Sequence, residues 1–173
     1  MDSGLFITRL IFGLAISAHG AQKLFGWFGG YGIKGTGGFL EGLGYRPGVL
    51  FALAAGLGEA GGGLLTAAGF LAPVGPALVI MVMLVAIFSV HLPNGFFATS
   101  NGFELPLLYL TGALALVFAG AGSYSVDTAL GIQILPGPGA AWAAVVAAVV
   151  LALANLAVRR RAPAIASASS LSH

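Results

Sequence analysis

The chain has 173 residues, of which 58% are hydrophobic and 7% charged, with a formal net charge of +2 and a mean hydropathy of +1.01. That mixture excludes an ordinary soluble globular domain, and the absence of cysteine excludes both a disulfide framework and a thiol redox centre, so any redox role needs a bound cofactor. Three of the seven basic residues form the run Arg159-Arg160-Arg161 after the last apolar stretch, so the positive balance reads as membrane topology and no nucleic-acid partner is expected.

The apolar runs divide into five stretches near the about 17–25 residues that cross a bilayer as helix: Leu5–Lys23, Val49–Leu71, Val74–Leu92, Leu105–Gly122 and Gly139–Val158. None alternates with period two, as a membrane β-strand would, so the backbone must be satisfied within helices. The fold class is an all-α membrane protein: a four-helix antiparallel transmembrane bundle plus a fifth peripheral helix. Residues 1–130 form the four-helix domain, 131–158 carry the additional helix, and 159–173 are a basic and disordered cytoplasmic tail, with His173 solvated.

The first span follows Met1-Asp2-Ser3, which lacks the positive charge of a signal peptide, so it reads as a retained helix. It carries Arg9 inside its apolar stretch and His19, Gln22 and Lys23 near its end; the lysine is expected to snorkel to the headgroups. The connection over residues 24–48 is rich in glycine and aromatics. Trp27 and Tyr31 suit the headgroup level, and Phe39, Leu40 and Leu43 suit a short helix in the interface. Gly30-x-Gly32-x-x-Gly35 resembles a dinucleotide fingerprint, but no strand precedes it, so it carries no weight.

The second span holds Glu59 near its middle, where a carboxylate must face a partner or a cavity and marks where to look for function. Beside it, Ala54-x-x-x-Gly58-x-x-x-Gly62 is a smooth strip for close helix packing. Pro93 stops the third span around His91 or Leu92. The connection that follows carries Asn94 and Asn101 and ends at Glu104, a residue suited to the positive end of the next helix dipole. Each long connection follows a histidine near a span's end and then glycine and paired aromatics, which suggests a duplicated hairpin. The fifth span is alanine and valine varied only by Trp142 and Asn155; it offers no chemistry and reads as an added anchor.

Arg159–Arg161 place the C-terminus in the cytoplasm, with the first connection, which carries Lys23, Lys34 and Arg46, on the same side and the N-terminus outside, Arg9 being the one dissenting charge. Depth counted along the helices brings Arg9 within reach of Glu59, as an ion pair. The candidate polar site is Arg9, His19, Gln22, Lys23, Glu59, His91, Asn94 and Glu104, with His19 and His91 bordering one vestibule beneath the aromatic first connection. No metal is expected, because no ligand pair at helical spacing is present, and haem between His19 and His91 is not indicated.

These residues stand in stretches that resemble the DoxX family of small bacterial membrane proteins: Arg9-Leu10; His19-Gly20-Ala21-Gln22-Lys23-Leu24-Phe25-Gly26-Trp27-Phe28-Gly29-Gly30; Gly35-Thr36; Gly58-Glu59 with Gly62-Gly63; and His91-Leu92-Pro93-Asn94-Gly95-Phe96-Phe97 leading to Glu104. The likeness runs over about residues 5–130 and leaves out the fifth span. It implies a four-helix protein of the bacterial plasma membrane. Some relatives are associated with an archaeal terminal quinol oxidase, a thiosulfate:quinone oxidoreductase, or membrane oxidoreductase complexes that handle thiols and oxidative stress. The resemblance therefore implies a redox-associated class, with quinone the cofactor it admits and redox proteins the partners. Two other functions compete: a small-solute or proton transporter rocking around Glu59, and a non-catalytic membrane anchor or assembly factor for a partner protein.

Overall fold

The computed structural model describes residues 2–132 and 137–160, so the expectations for the tail beyond Arg160 lie outside the described residues. Among the described residues the ordered elements are helical: α1 (Asp2–Phe25), α2 (Gly32–Gly42), α3 (Gly48–Ala68), α4 (Val74–Ala86), α5 (Glu104–Ala119), the short α6 (Val126–Leu130) and α7 (Pro138–Ala157). Four helical stretches are long and apolar enough to cross a bilayer: Asp2–Phe25, Gly48–Ala68, Val74–Asn94 and Gly139–Ala157. The third of these continues past α4 through a π-turn at Ile87–His91 and a 3-10 turn at Leu92–Asn94. The remaining expected span, Leu105–Gly122, is shorter than its apolar run: α5 has 16 residues, a rise of about 24 Å against a hydrocarbon core of about 30 Å.

The packing follows from residue size. In lipid no hydrophobic drive pulls apolar helices together, so association depends on close van der Waals contact and interhelical hydrogen bonds. Helices α1 and α3 meet through glycine on both sides. A Cβ added at Gly13 would strike the backbone of Gly63 and Ala67, one at Gly20 the backbone of Gly56 and Ala60, and one at Gly63 the backbone of Gly13 and Ser17. The Ser17 hydroxyl, bonded to Gly13 O at 2.8 Å, also lies 3.2 Å from Ala60 O across the seam. These contacts run in opposite chain directions, so α1 and α3 are antiparallel, and they place Arg9 level with Gly69 and His19 level with Glu59.

The strip expected over Ala54, Gly58 and Gly62 serves a second neighbour. Gly58 faces Val82, and Gly62 faces Gly75 and Val79, all on α4. Helix α3 therefore lies between α1 and α4, while α5 packs on α4 and reaches α1 through the Phe12–Tyr109 ring contact. Ile16, Val79, Ile80, Val82, Met83, Ala113 and Val117 fill the space among them. Helix α7 packs on α4 and α5, burying Ala141, Ala148 and Ala152.

Two hydrogen bonds fix which loops share a side. Tyr45, 1% exposed in the α2–α3 joint, has its hydroxyl 2.6 Å from Ser89 Oγ in the π-turn, and Arg160 N–H donates to Gly44 O at the end of α7. The first connection, the end of α4 and the end of α7 are thus together, as expected. On the other side Ser123 Oγ donates to Asp2 at 2.7 Å.

The seam yields a paired prediction. Gly20→Ala sets a methyl against backbone that cannot move aside and should destabilise the protein by about 1–3 kcal/mol. Gly61→Ala, whose Cβ meets nothing within 4 Å, should be neutral or stabilise by up to about 1 kcal/mol through helix propensity. Thermal unfolding of both variants in one detergent checks the pair.

Candidate functional site

Lys23, two residues before the end of α1, turns inward and meets Glu59 of α3, with Nζ–Oε2 at 2.5 Å. The Glu59 side chain is 4% exposed and that of Lys23 31%. This corrects two expectations, since Lys23 does not snorkel and Arg9 is not the partner of Glu59. One geometric rule accounts for both. The Cα–Cβ bonds of a helix tilt toward its N-terminus. A lysine at the C-terminal end of α1 therefore leans into the bundle, and Glu59 leans along α3 toward that same end. Arg9 leans the opposite way from Glu59, and the seam already separates them by about ten residues of register, roughly 15 Å of rise.

Lys23, but not Glu59, borders a cleft of about 540 Å³ between the last turn of α1 and α2, walled also by Gln22, Gly30, Tyr31, Thr36 and Phe39. Local chemistry shapes this wall. Gln22 Nε2 donates to Phe28 O at 3.2 Å, closing the turn after α1, and Gly30 sits so close to the Gln22 backbone that no Cβ would fit. The chain then enters α2, where a short helix is expected around Phe39, Leu40 and Leu43 and one runs over Gly32–Gly42. Thr36 is buried against the cleft while Tyr31 and Phe39 stand exposed at its rim. The arrangement offers a bound polar group the Lys23 ammonium as a donor, and that ammonium is itself paired with the Glu59 carboxylate. A second cavity, of about 60 Å³ between α3, α4 and α7, is bordered by Tyr45, Met81 and Asn155, and Asn155 Oδ1 is buried there without a partner. It is well below the about 150 Å³ that holds a benzene ring, so it admits no aromatic head group.

Arg9 is 2% exposed and organises the opposite side. Its guanidinium donates to Thr66 O and Tyr124 O, which fastens the end of α3 to the segment before α6, and its Nε has no partner. Asp127, which sequence reasoning passed over, completes the knot. Its carboxylate accepts from Leu71 N and Ala72 N at 2.8 and 2.9 Å, and its own N–H donates to Gly69 O. A signal existed: Asp127 follows Ser125, whose hydroxyl caps α6, and is the only acid between Glu104 and the C-terminus.

His91, Asn94 and Glu104 are brought together, each tying down the backbone of one loop. His91 Nδ1 is 2.8 Å from Asn101 O, Asn94 Nδ2 donates to Val90 O at 3.0 Å, and Glu104 accepts from Ala98 N at 2.8 Å. His19 has a different partner. It is exposed on α1, edge-on to Tyr109 of α5 with ring centroids 5.6 Å apart and Nε2 3.5 Å from the phenol oxygen. Among the described residues the two histidines share no hydrogen bond: His19 is set against α5 and His91 against its own loop.

The pairing of Lys23 with Glu59 is testable by a double-mutant cycle. Glu59→Gln leaves Lys23 unpaired and Lys23→Met leaves Glu59 unpaired. Each should cost toward the lower end of about 3–5 kcal/mol, because Lys23 retains some exposure, and the double variant should recover much of that loss. A parallel cycle between Arg9 and Glu59 should be additive within about 0.5 kcal/mol. Chemical unfolding in a single lipid–detergent mixture gives all the values.

The family model of DoxX matches residues 4–92, just over half of the chain. Among curated proteins, an uncharacterized protein of Haemophilus influenzae is 43% identical over 44 residues, a stretch that covers 25% of this chain and 29% of that relative. The matched stretch thus spans under a third of the relative's length. No solved structure matches the chain. The family match covers α1 through the π-turn of α4, hence Lys23, Glu59 and the cleft, and with four helices able to cross a bilayer the chain is an integral membrane protein of the DoxX family.

Proposed function

We propose that this protein is a membrane subunit for quinone-linked redox chemistry, which holds a quinone head group in the Lys23–Glu59 cleft and exchanges protons with it while electrons pass to a partner protein. The observation that carries this reading is a buried carboxylate joined to a lysine that opens onto a cleft in the interfacial region. Intramembrane charges facing a cavity mark function. About 540 Å³ lies within the range of small-molecule sites, about 300–1,000 Å³. Lys23 donates to a quinone carbonyl, and Glu59 takes or gives one of the protons that accompany the two electrons of the quinone–quinol couple. Tyr31 and Phe39, both exposed in the cleft lining, supply the aromatic border through which an apolar ring enters from lipid.

In this reading α1, α3, α4 and α5 form the antiparallel bundle within the bacterial plasma membrane, with α7 outside it. Supporting this, each of the four packs on the next and α7 touches α4 and α5. Lys34, Arg46, Arg159 and Arg160 share the side of the first connection, which faces the cytoplasm by the excess of positive charge; the N-terminus is then outside.

The chain has two tryptophans, so in a Trp142→Phe background Trp27 reports alone, in the same 3-10 turn as Gly29 of the cleft wall. In nanodiscs, a decyl-substituted benzoquinone should quench it saturably, with affinity at least about ten-fold weaker in the Lys23→Met/Glu59→Gln variant, the equivalent of about 1.4 kcal/mol. Linear quenching identical in the two proteins would mean partition into lipid alone and end the reading. Solute flux in proteoliposomes that vanishes in Glu59→Gln would favour a transporter instead.

A further inference from the structure

Five of the eleven residues of α2 are glycine. Each costs about 0.8–1.0 kcal/mol relative to alanine in a helix, and a helix this short is marginal by itself. The roof of the cleft must therefore be held by its surroundings. Its C-terminus ends in a Schellman arrangement: Gly44, at φ 98°, donates to Glu41 O, and Tyr45 N donates to Leu40 O, while Leu40 and Tyr45 border the same small cavity. Just beyond, Gly48 N–H donates to Glu41 Oε1 at 2.9 Å.

The carbonyls of Leu43 and Gly44 are left pointing away from the helix, and the end of α7 takes both. Arg159 Nε donates to Leu43 O at 2.6 Å, and Arg160 N–H donates to Gly44 O at 3.0 Å. Gly44 is buried, and a Cβ there would strike the Arg160 carbonyl. The guanidinium also meets the negative end of the α2 dipole. We infer that the end of α7 is a clasp that caps α2 in trans and holds the roof over the Lys23–Glu59 cleft, so that Arg159 positions a site it never touches. Helix α7 lies beyond residues 4–92, so the clasp is an addition to the family-matched part of the chain. It governs access to the cleft whatever the cleft holds.

The chain has no cysteine, so Thr36→Cys places a single thiol in the cleft wall, where Thr36 is 9% exposed. In full-length protein in nanodiscs, adding Arg159→Ala should raise the maleimide labelling rate at position 36 about five-fold or more and lower hydrogen-exchange protection over residues 32–42. Arg159→Gln, which keeps a donor without the charge, should fall between, and Arg159→Lys, which keeps a cationic donor, should stay within about two-fold of the parent. A control thiol at Ser123→Cys, on the other side, should be unaffected. Unchanged rates and protection at α2, or an equal rise at both thiols from general loosening, overturns the clasp. The readout uses no quinone, so failure here leaves the quenching result standing, and failure there leaves the clasp standing.

Discussion

Helices α1 and α3 approach until backbone meets backbone, and the rest of the site is built on that contact. Gly13, Gly20 and Gly63 bring backbone against backbone, Gly56 makes room for the Leu24 side chain, and Ser17 ties the helices with an interhelical hydrogen bond. Where hydrophobic drive is absent, such close packing supplies the attraction and, being intolerant of a methyl shift, also fixes the register. The register in turn sets Lys23 within one side-chain length of Glu59 and brings Arg9 to the turn at Gly69.

The charges divide between the two ends of this seam and do different work. At one end Arg9 and Asp127 satisfy backbone groups of the α3 terminus and of the segment around α6, leaving little space around the guanidinium. At the other, Lys23 and Glu59 satisfy each other while the ammonium keeps a face toward a cleft large enough for a ligand. A buried pair is weak ground for stability by itself, since desolvation opposes the Coulombic gain. What separates this pair from a structural one is the open cleft beside it. His91, Asn94 and Glu104, by contrast, each hydrogen-bond the backbone of the loop after α4.

The cleft depends on a glycine-rich roof that cannot be stable alone. Its joint with α3 is anchored to α4 through Tyr45 and Ser89 and to α7 through Leu43 and Gly44. The site is thus bound mechanically to helices that contribute no residue to its wall, and α7, featureless in sequence apart from Trp142 and Asn155, acts through its end.

Much was legible in the sequence. Span length and hydropathy determine a helical membrane protein, because lipid leaves the backbone no other way to satisfy its polar groups. The isolated carboxylate at Glu59 announces that a partner exists, and the words around His19–Gly30 announce the family. Only the tertiary structure decided the partner. Counting depth along each helix ignores the register between helices and the tilt of Cα–Cβ bonds, and those two together exchange Arg9 for Lys23. The setting of His19 against Tyr109 depends on which faces of α1 and α5 meet, which pattern alone leaves open. The clasp was invisible for a simpler reason: its acceptors are backbone carbonyls of Leu43 and Gly44, and a carbonyl has no letter in the sequence.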